Sequence, residues 1–278
     1  MASKRATPTI TKAAKARAAE LLAALRVHYP GAHCELLYSS PHELLIATIL
    51  SAQTTDVNVN RATPALFTKF PTPQAFAASS SEEIEPFVRS LGFFRNKARA
   101  VHEAMKRVVE EFGGVVPSTM EELLSLRGVA RKTANVVLGN AFNVNAGVVV
   151  DTHVERLSQR LGLAPKGSNV AAIEHYLMAQ FPRDDWCELS HMLIFHGRRA
   201  CKARGKECSA HEICRGFGKC CDLARTATKK PAATTASKAG DGPPKAVRRK
   251  ASAAKAELTE RARNTNAKGS RGRRKKPS

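Results

Sequence analysis

The sequence lacks any long apolar stretch. The longest, residues 44–50, falls far short of the ~20 residues that cross a membrane. No apolar segment follows the basic N-terminus either, which argues against a secretory signal. A basic start of this kind resembles an organelle transit peptide, but Glu20 and a helical leucine pattern follow it directly. Strand signal is nearly missing: only residues 147–150 read as extended, too few to build a sheet. Acid is scarce as well, with 24 Asp and Glu against 45 Lys and Arg in 278 residues, a formal charge of +21. Hydrophobic content of 43% nonetheless excludes wholesale disorder, and the length allows one large or two modest domains.

The positive charge is unevenly placed. Residues 222–278 hold 17 Lys or Arg and 4 Asp or Glu, and the first 17 residues add five cations and no acid. The body between them carries only +3. The tail has no aromatic residue, and Leu223, Val247 and Leu258 are its only larger aliphatics. It cannot bury enough apolar surface to offset the entropy of ordering, so both arms are expected to be disordered. A dense cluster, residues 271–276 (RGRRKK), points to phosphate contact with counterion release rather than to an acidic membrane surface.

The body reads as a succession of short helices, so the fold class is all-α. Leu21, Leu22 and Leu25 share one face of a helix over 19–27. Ser40-Pro41-His42-Glu43 supplies a cap, a proline at the first helical position and an acid in the first turn. Helices over 57–70, 82–90 and 96–112 follow, the last ended by Gly113-Gly114. Ser118 and Glu121 form a capping box for 121–126. Further helices are expected over 131–141, 153–161, 170–181 and 186–200.

Residues 124–141 (LSLRGVARKTANVVLGNA) hold two helical patterns joined by Arg127-Gly128-Val129-Ala130. Gly128 gives the freedom for a tight reversal, and Val129 can pin the turn to the core. Such a turn aims backbone N–H groups outward, where they bind a phosphate oxygen without reading bases. Arg131 and Lys132 then stand in a first turn, where the macrodipole disfavours cations by ~0.3–1 kcal/mol each. They read either as a phosphate-binding pair or as a lysine biased toward its neutral amine and able to form a Schiff base. Nineteen positions later, Thr152 with Glu155 fits a capping pattern that frees Asp151; Asp151 as the cap itself is the equal alternative. His153 reads as a helix-start packing residue rather than a base.

Of seven cysteines, Cys34 and Cys187 stand alone and read as buried thiols. Cys201, Cys208, Cys214 and Cys220, with Cys221 adjacent, lie close together among basic residues. Clustered thiols favour a metal over disulfides, and either zinc or a [4Fe–4S] cluster suits four thiolates.

Together these residues resemble the endonuclease III family of DNA glycosylases with apurinic/apyrimidinic (AP) lyase activity, over about residues 21–220. The most specific parts are Leu50-Ser51-Ala52-Gln53-Thr54-Thr55-Asp56, the hairpin ending in Arg131-Lys132-Thr133-Ala134-Asn135, Val150-Asp151-Thr152-His153, and His196-Gly197-Arg198 ahead of Cys201. The resemblance implies a helix–hairpin–helix domain (37–145) beside an iron–sulfur domain (18–36 and 146–221), with DNA in the cleft between them. A basic disordered arm (1–17) and tail (222–278) would flank these. It implies Lys132 as nucleophile and Asp151 as the essential carboxylate. Gln53 would fill the gap left by an extruded nucleotide, Phe93 would be the wedge, and Gly128, Ala130 and Arg131 would meet DNA. Cys201, Cys208, Cys214 and Cys220 would hold a [4Fe–4S] cluster.

Several residues depart from the family pattern. Arg127 replaces a proline, Ala130 a glycine and Phe93 a leucine. Ala130 fits if its φ is negative. Three residues are inserted between the second and third cluster cysteines, leaving His211 where the third would fall and Cys221 as a rival to Cys220. The implied activity is base excision repair of oxidised pyrimidines through a Schiff base and β-elimination. The implied partner is double-stranded DNA with damaged bases or abasic sites. A monomer is expected, cytoplasmic and nucleoid-associated in a bacterium, with no membrane partner. A related branch that excises mispaired adenine lacks the lysine, so Lys132 argues against it. The alternative is a non-catalytic, metal-containing DNA-binding protein that would bind abasic DNA without covalent trapping.

Overall fold

A computed structural model describes residues 8–204 and 211–219, all within one compact unit, Met1–Lys230. The described residues form helices and no strand, as the patterning requires. In order they are α1 (Lys12–His28), α2 (Pro41–Leu50), α3 (Asp56–Lys69), α4 (Pro73–Ala78), α5 (Ser81–Val88), α6 (Phe94–Phe112), α7 (Met120–Ser125) and α8 (Arg131–Ala141). An extended link leads to α9 (Thr152–Arg160), α10 (Val170–Gln180), α11 (Trp186–Arg199) and α12 (Glu212–Phe217).

Helix starts follow local chemistry. The Ser40 side chain accepts from the amide of Glu43, with Pro41 at the first position of α2. Ser80 and Glu83 cap each other reciprocally at α5. Gly113, in the left-handed region at φ 62°, ends α6. Two expectations need correction. Thr119, not Ser118, caps α7, because its side chain reaches the amide of Glu122. The basic arm is not disordered up to residue 17: Thr11 caps α1, and Arg17 is anchored on the carbonyls of Leu161 (2.8 Å) and Phe217 (2.5 Å). The basic tail, residues 222–278, lies outside the described residues.

Two apolar cores result. One is built by α2–α8 around residues such as Leu44, Leu50, Met105 and Leu138. The other joins α1 to α9–α12 around Leu21, Leu25, Leu157 and Leu193. Polar ties cross between them. Arg198 of α11 pairs with Glu35 and, at 2.8 Å, with Asp56 at the start of α3. Glu174 of α10, only 5% exposed, receives the Nε of Arg131 at 2.8 and 3.0 Å and the Nδ2 of Asn135 at 3.0 Å, both from α8. The link backbone packs against the same carboxylate at Gly147, where any Cβ would collide with Glu174 and Asn135. One buried carboxylate thus ties the first turn of α8 to the segment that leads to Asp151.

Candidate active site

The reversal between α7 and α8 depends on Gly128. Its φ is 79°, and a Cβ there would sit 3.1 Å from the Ala100 Cβ and 3.3 Å from the Ile49 Cγ2. Val129 is buried, and its amide donates to the Leu126 carbonyl at 3.2 Å. Arg127, in place of the family proline, pairs with Glu103 at 2.7 Å. Ala130 adopts φ −96°, so the missing glycine costs no backbone strain. No side chain caps α8 and no acid stands in its first turn, which leaves its leading amides uncapped. Lys132 is exposed in that turn. Arg131 is held by Glu174.

Asp151 is the cap of α9. Its Oδ1 accepts from the amides of His153 (2.9 Å) and Val154 (2.8 Å), which decides between the two capping alternatives against Thr152. The other carboxylate oxygen takes no hydrogen bond among the described residues, and the residue is half-buried. His153 lies on the same turn, with Nδ1 3.2 Å from Arg156; burial lowers its pKa.

Two exposed loops carry the remaining DNA-facing candidates. Gln53 follows α2 with φ 55°, and Phe93 precedes α6 with φ 48° and 67% of its surface exposed. Left-handed backbone costs a non-glycine residue ~1–2 kcal/mol, and such strain gathers at functional positions. Among the described non-glycine residues only Asn143 also has a positive φ, and the sequence motifs that singled out Gln53 and Phe93 gave no sign of this backbone conformation. Arg89 and Arg95 flank the loop that carries Phe93, their guanidinium groups 5.8 and 5.3 Å from the Phe94 ring centre.

A third cluster is buried in the second core. His196, Cys201 and Cys214 place one ligand atom each within 4.8 Å of one another. His196 Nε2 is 3.3 Å from the Cys214 sulfur, and its Nδ1 is 2.8 Å from the Tyr29 hydroxyl. Burial pushes His196 down to about 4, so the ring is neutral and fit to ligate. A hydrogen bond with Cys214 pulls the Cys201 thiol down to about 6, helped by Arg160 at 3.2 Å from its sulfur. Arg156 donates to the carbonyls of Gly197 and Cys201, and Arg160 to that of Lys202, so α9 holds the loop in shape. Two buried thiols and an imidazole, with fixed donors around them, could hold a metal ion. Cys208 and Cys220 lie outside the described residues. His211 caps α12 and approaches Tyr29 at 3.3 Å. His196 was visible in the sequence only as part of a motif, since no spacing rule links it to Cys214. Cys34 and Cys187 are partly buried, and burial pushes both thiols to about 11.

Residues 46–183 match the HhH-GPD superfamily of base excision DNA repair proteins. Over 203 residues the chain is 53% identical to Endonuclease III of Synechocystis sp., covering 72% of this chain and 92% of that protein. The chain belongs to the endonuclease III family. A solved structure of a non-covalent Endonuclease III–DNA complex and one of a trapped Endonuclease III–DNA covalent intermediate both share its fold. Each has a TM-score of 0.71 and 39% identity, covering 78% of this chain and 99% of the other. Membership makes the protein a base excision repair enzyme, a DNA glycosylase with AP lyase activity, and disfavours the non-catalytic alternative. Within the family frame, the hairpin residues fall between α7 and α8 and Asp151 opens α9. No described helix is long and apolar enough to cross a membrane.

Proposed function

We propose that the enzyme removes oxidised pyrimidines from double-stranded DNA and then cleaves the abasic strand, with Lys132 as nucleophile and Asp151 as the essential carboxylate. The observation that carries this reading is the exposed Lys132 at an uncapped helix start, in a family with a trapped covalent DNA intermediate. A damaged base inside the stack is out of reach, so the nucleotide must swing out at a cost of ~a few kcal/mol. Phe93 enters beside the lesion, and Gln53 fills the gap that the nucleotide leaves. Phosphates rest on the uncapped amides and cations around Gly128, Ala130 and Arg131.

The Lys132 amine attacks the sugar C1′ as the base departs with the glycosidic electron pair. Asp151 acts through the oxygen that capping leaves free, stabilising positive charge on the sugar and taking a proton from the incoming amine. Opening of the sugar ring at the C1′–O4′ bond, with O4′ taking up a proton, turns the aminal into an imine, which acidifies C2′. Loss of that proton expels the 3′ phosphate and breaks the strand.

Cys201, Cys208, Cys214 and Cys220 would hold a [4Fe–4S] cluster; the buried Cys201–Cys214 pair, with its fixed donors, supports this. When bound, the cluster supplies a structural tie for the basic loop that follows α11. The protein would act as a monomer in the bacterial cytoplasm, associated with the nucleoid. Borohydride added to enzyme and abasic duplex should trap a covalent complex with the parent and with Lys106→Ala, and none with Lys132→Ala. Equal trapping by all three would remove Lys132 from the mechanism.

A further inference from the structure

Lys97 of α6 is a lysine where physical chemistry disfavours one. It is only 6% exposed, it stands in the first turn of a helix, and no carboxylate pairs with it among the described residues. Burial accordingly lowers its pKa. Its Nζ donates to the Leu91 carbonyl at 2.7 Å, and its backbone amide donates to the Phe93 carbonyl at 3.0 Å. Between those carbonyls lie Gly92 at φ 66° and Phe93 at φ 48°, both left-handed, and no side chain caps α6. One residue therefore grips the chain on both sides of an exposed, conformationally costly phenylalanine.

We propose that Lys97 is a positioning residue that holds Phe93 rigidly outward, so that extrusion of a nucleotide from a duplex depends on it. The proposal rests on the reading of Phe93 as the wedge. A wedge matters where a base must be driven from a stack and is irrelevant where no opposing strand exists. A merely structural lysine would affect both kinds of DNA alike.

Single-turnover excision with strand cleavage is measured on the same oxidised pyrimidine in a duplex and in a single strand. Lys97→Met is expected to slow duplex cleavage by about tenfold or more while leaving single-strand cleavage within about twofold. Lys97→Arg, which keeps a long cationic donor, should recover part of the duplex rate. Equal loss on both DNAs, or loss on neither, overturns the proposal. Phe93→Ala is run in parallel. Duplex-selective loss in Phe93→Ala but not in Lys97→Met leaves the wedge standing and removes Lys97 from its support. Absence of selective loss in Phe93→Ala brings down the wedge, and the proposal with it. Should Lys97→Met not fold, Lys97→Gln carries the same comparison.

Discussion

In the proposed mechanism Asp151 divides its work between two oxygens, and that division can be tested. Asparagine keeps a side-chain oxygen that accepts from the amides of His153 and Val154 but carries no charge. Asp151→Asn should therefore leave thermal stability almost unchanged while lowering single-turnover excision by about 10²–10⁴-fold. A large drop in melting temperature with normal chemistry would mean that the residue is a cap alone. Gly128 offers the opposite case. Its positive φ and the nearby Ala100 and Ile49 side chains make Gly128→Ala destabilising by about 1–3 kcal/mol, read as a lower urea midpoint. An unchanged midpoint would show that the hairpin accommodates a side chain there. Neither property of Asp151 was settled by sequence, because Asp151 and Thr152 are both good caps and only the fold chooses between them.

Among the elements, helix starts were legible where a capping side chain stood beside an apolar period, as at Ser40 before α2 and Asn169 before α10, while α8 was legible from its periodicity without a cap. The short helices α4 and α12 were not, since six residues hold too little periodicity to register unless a capping pattern marks them, as it did α7. Helix α6 begins two residues earlier than its pattern suggests, because left-handed Phe93 starts it without a capping side chain. Pairings between elements were also beyond the sequence: Glu174 on Arg131, Arg198 on Asp56 and His196 beside Cys214 each join residues far apart in the chain.

One such pairing carries a pH dependence. His191 of α11 bonds Asn140 of α8 at 2.8 Å, and burial pushes it down to about 4 from an ordinary 6.5. The unfolded chain then binds a proton that the folded one refuses. Stability is intact above about pH 6.5 and is lost as pH falls towards 4, by about 1–2 kcal/mol at pH 5. His191→Asn should show a flatter denaturation midpoint between pH 7 and 5. An unchanged pH slope would mean that His191 titrates normally in the fold.

For the whole molecule, a nearly neutral body is joined to a strongly basic tail, with 17 cations in residues 222–278. The tail should add nonspecific affinity without touching the chemistry. Deleting residues 224–278 is expected to weaken binding to undamaged duplex and to flatten the salt dependence of that binding. Single-turnover excision at saturating enzyme should persist. Loss of excision with an unaltered salt slope would contradict this. Composition revealed the tail and periodicity the helical class. The joining of α1 with α9–α12 in one core was implied by the family resemblance and by neither composition nor periodicity.

The central claim is that one lysine at the start of α8 bonds covalently to the sugar. Reductive trapping on an abasic duplex, followed by proteolysis and mass spectrometry, locates the bond directly. The expected product is a deoxyribose adduct on the peptide that contains Lys132; an adduct on any other lysine, or on the N-terminal amine, would contradict that role.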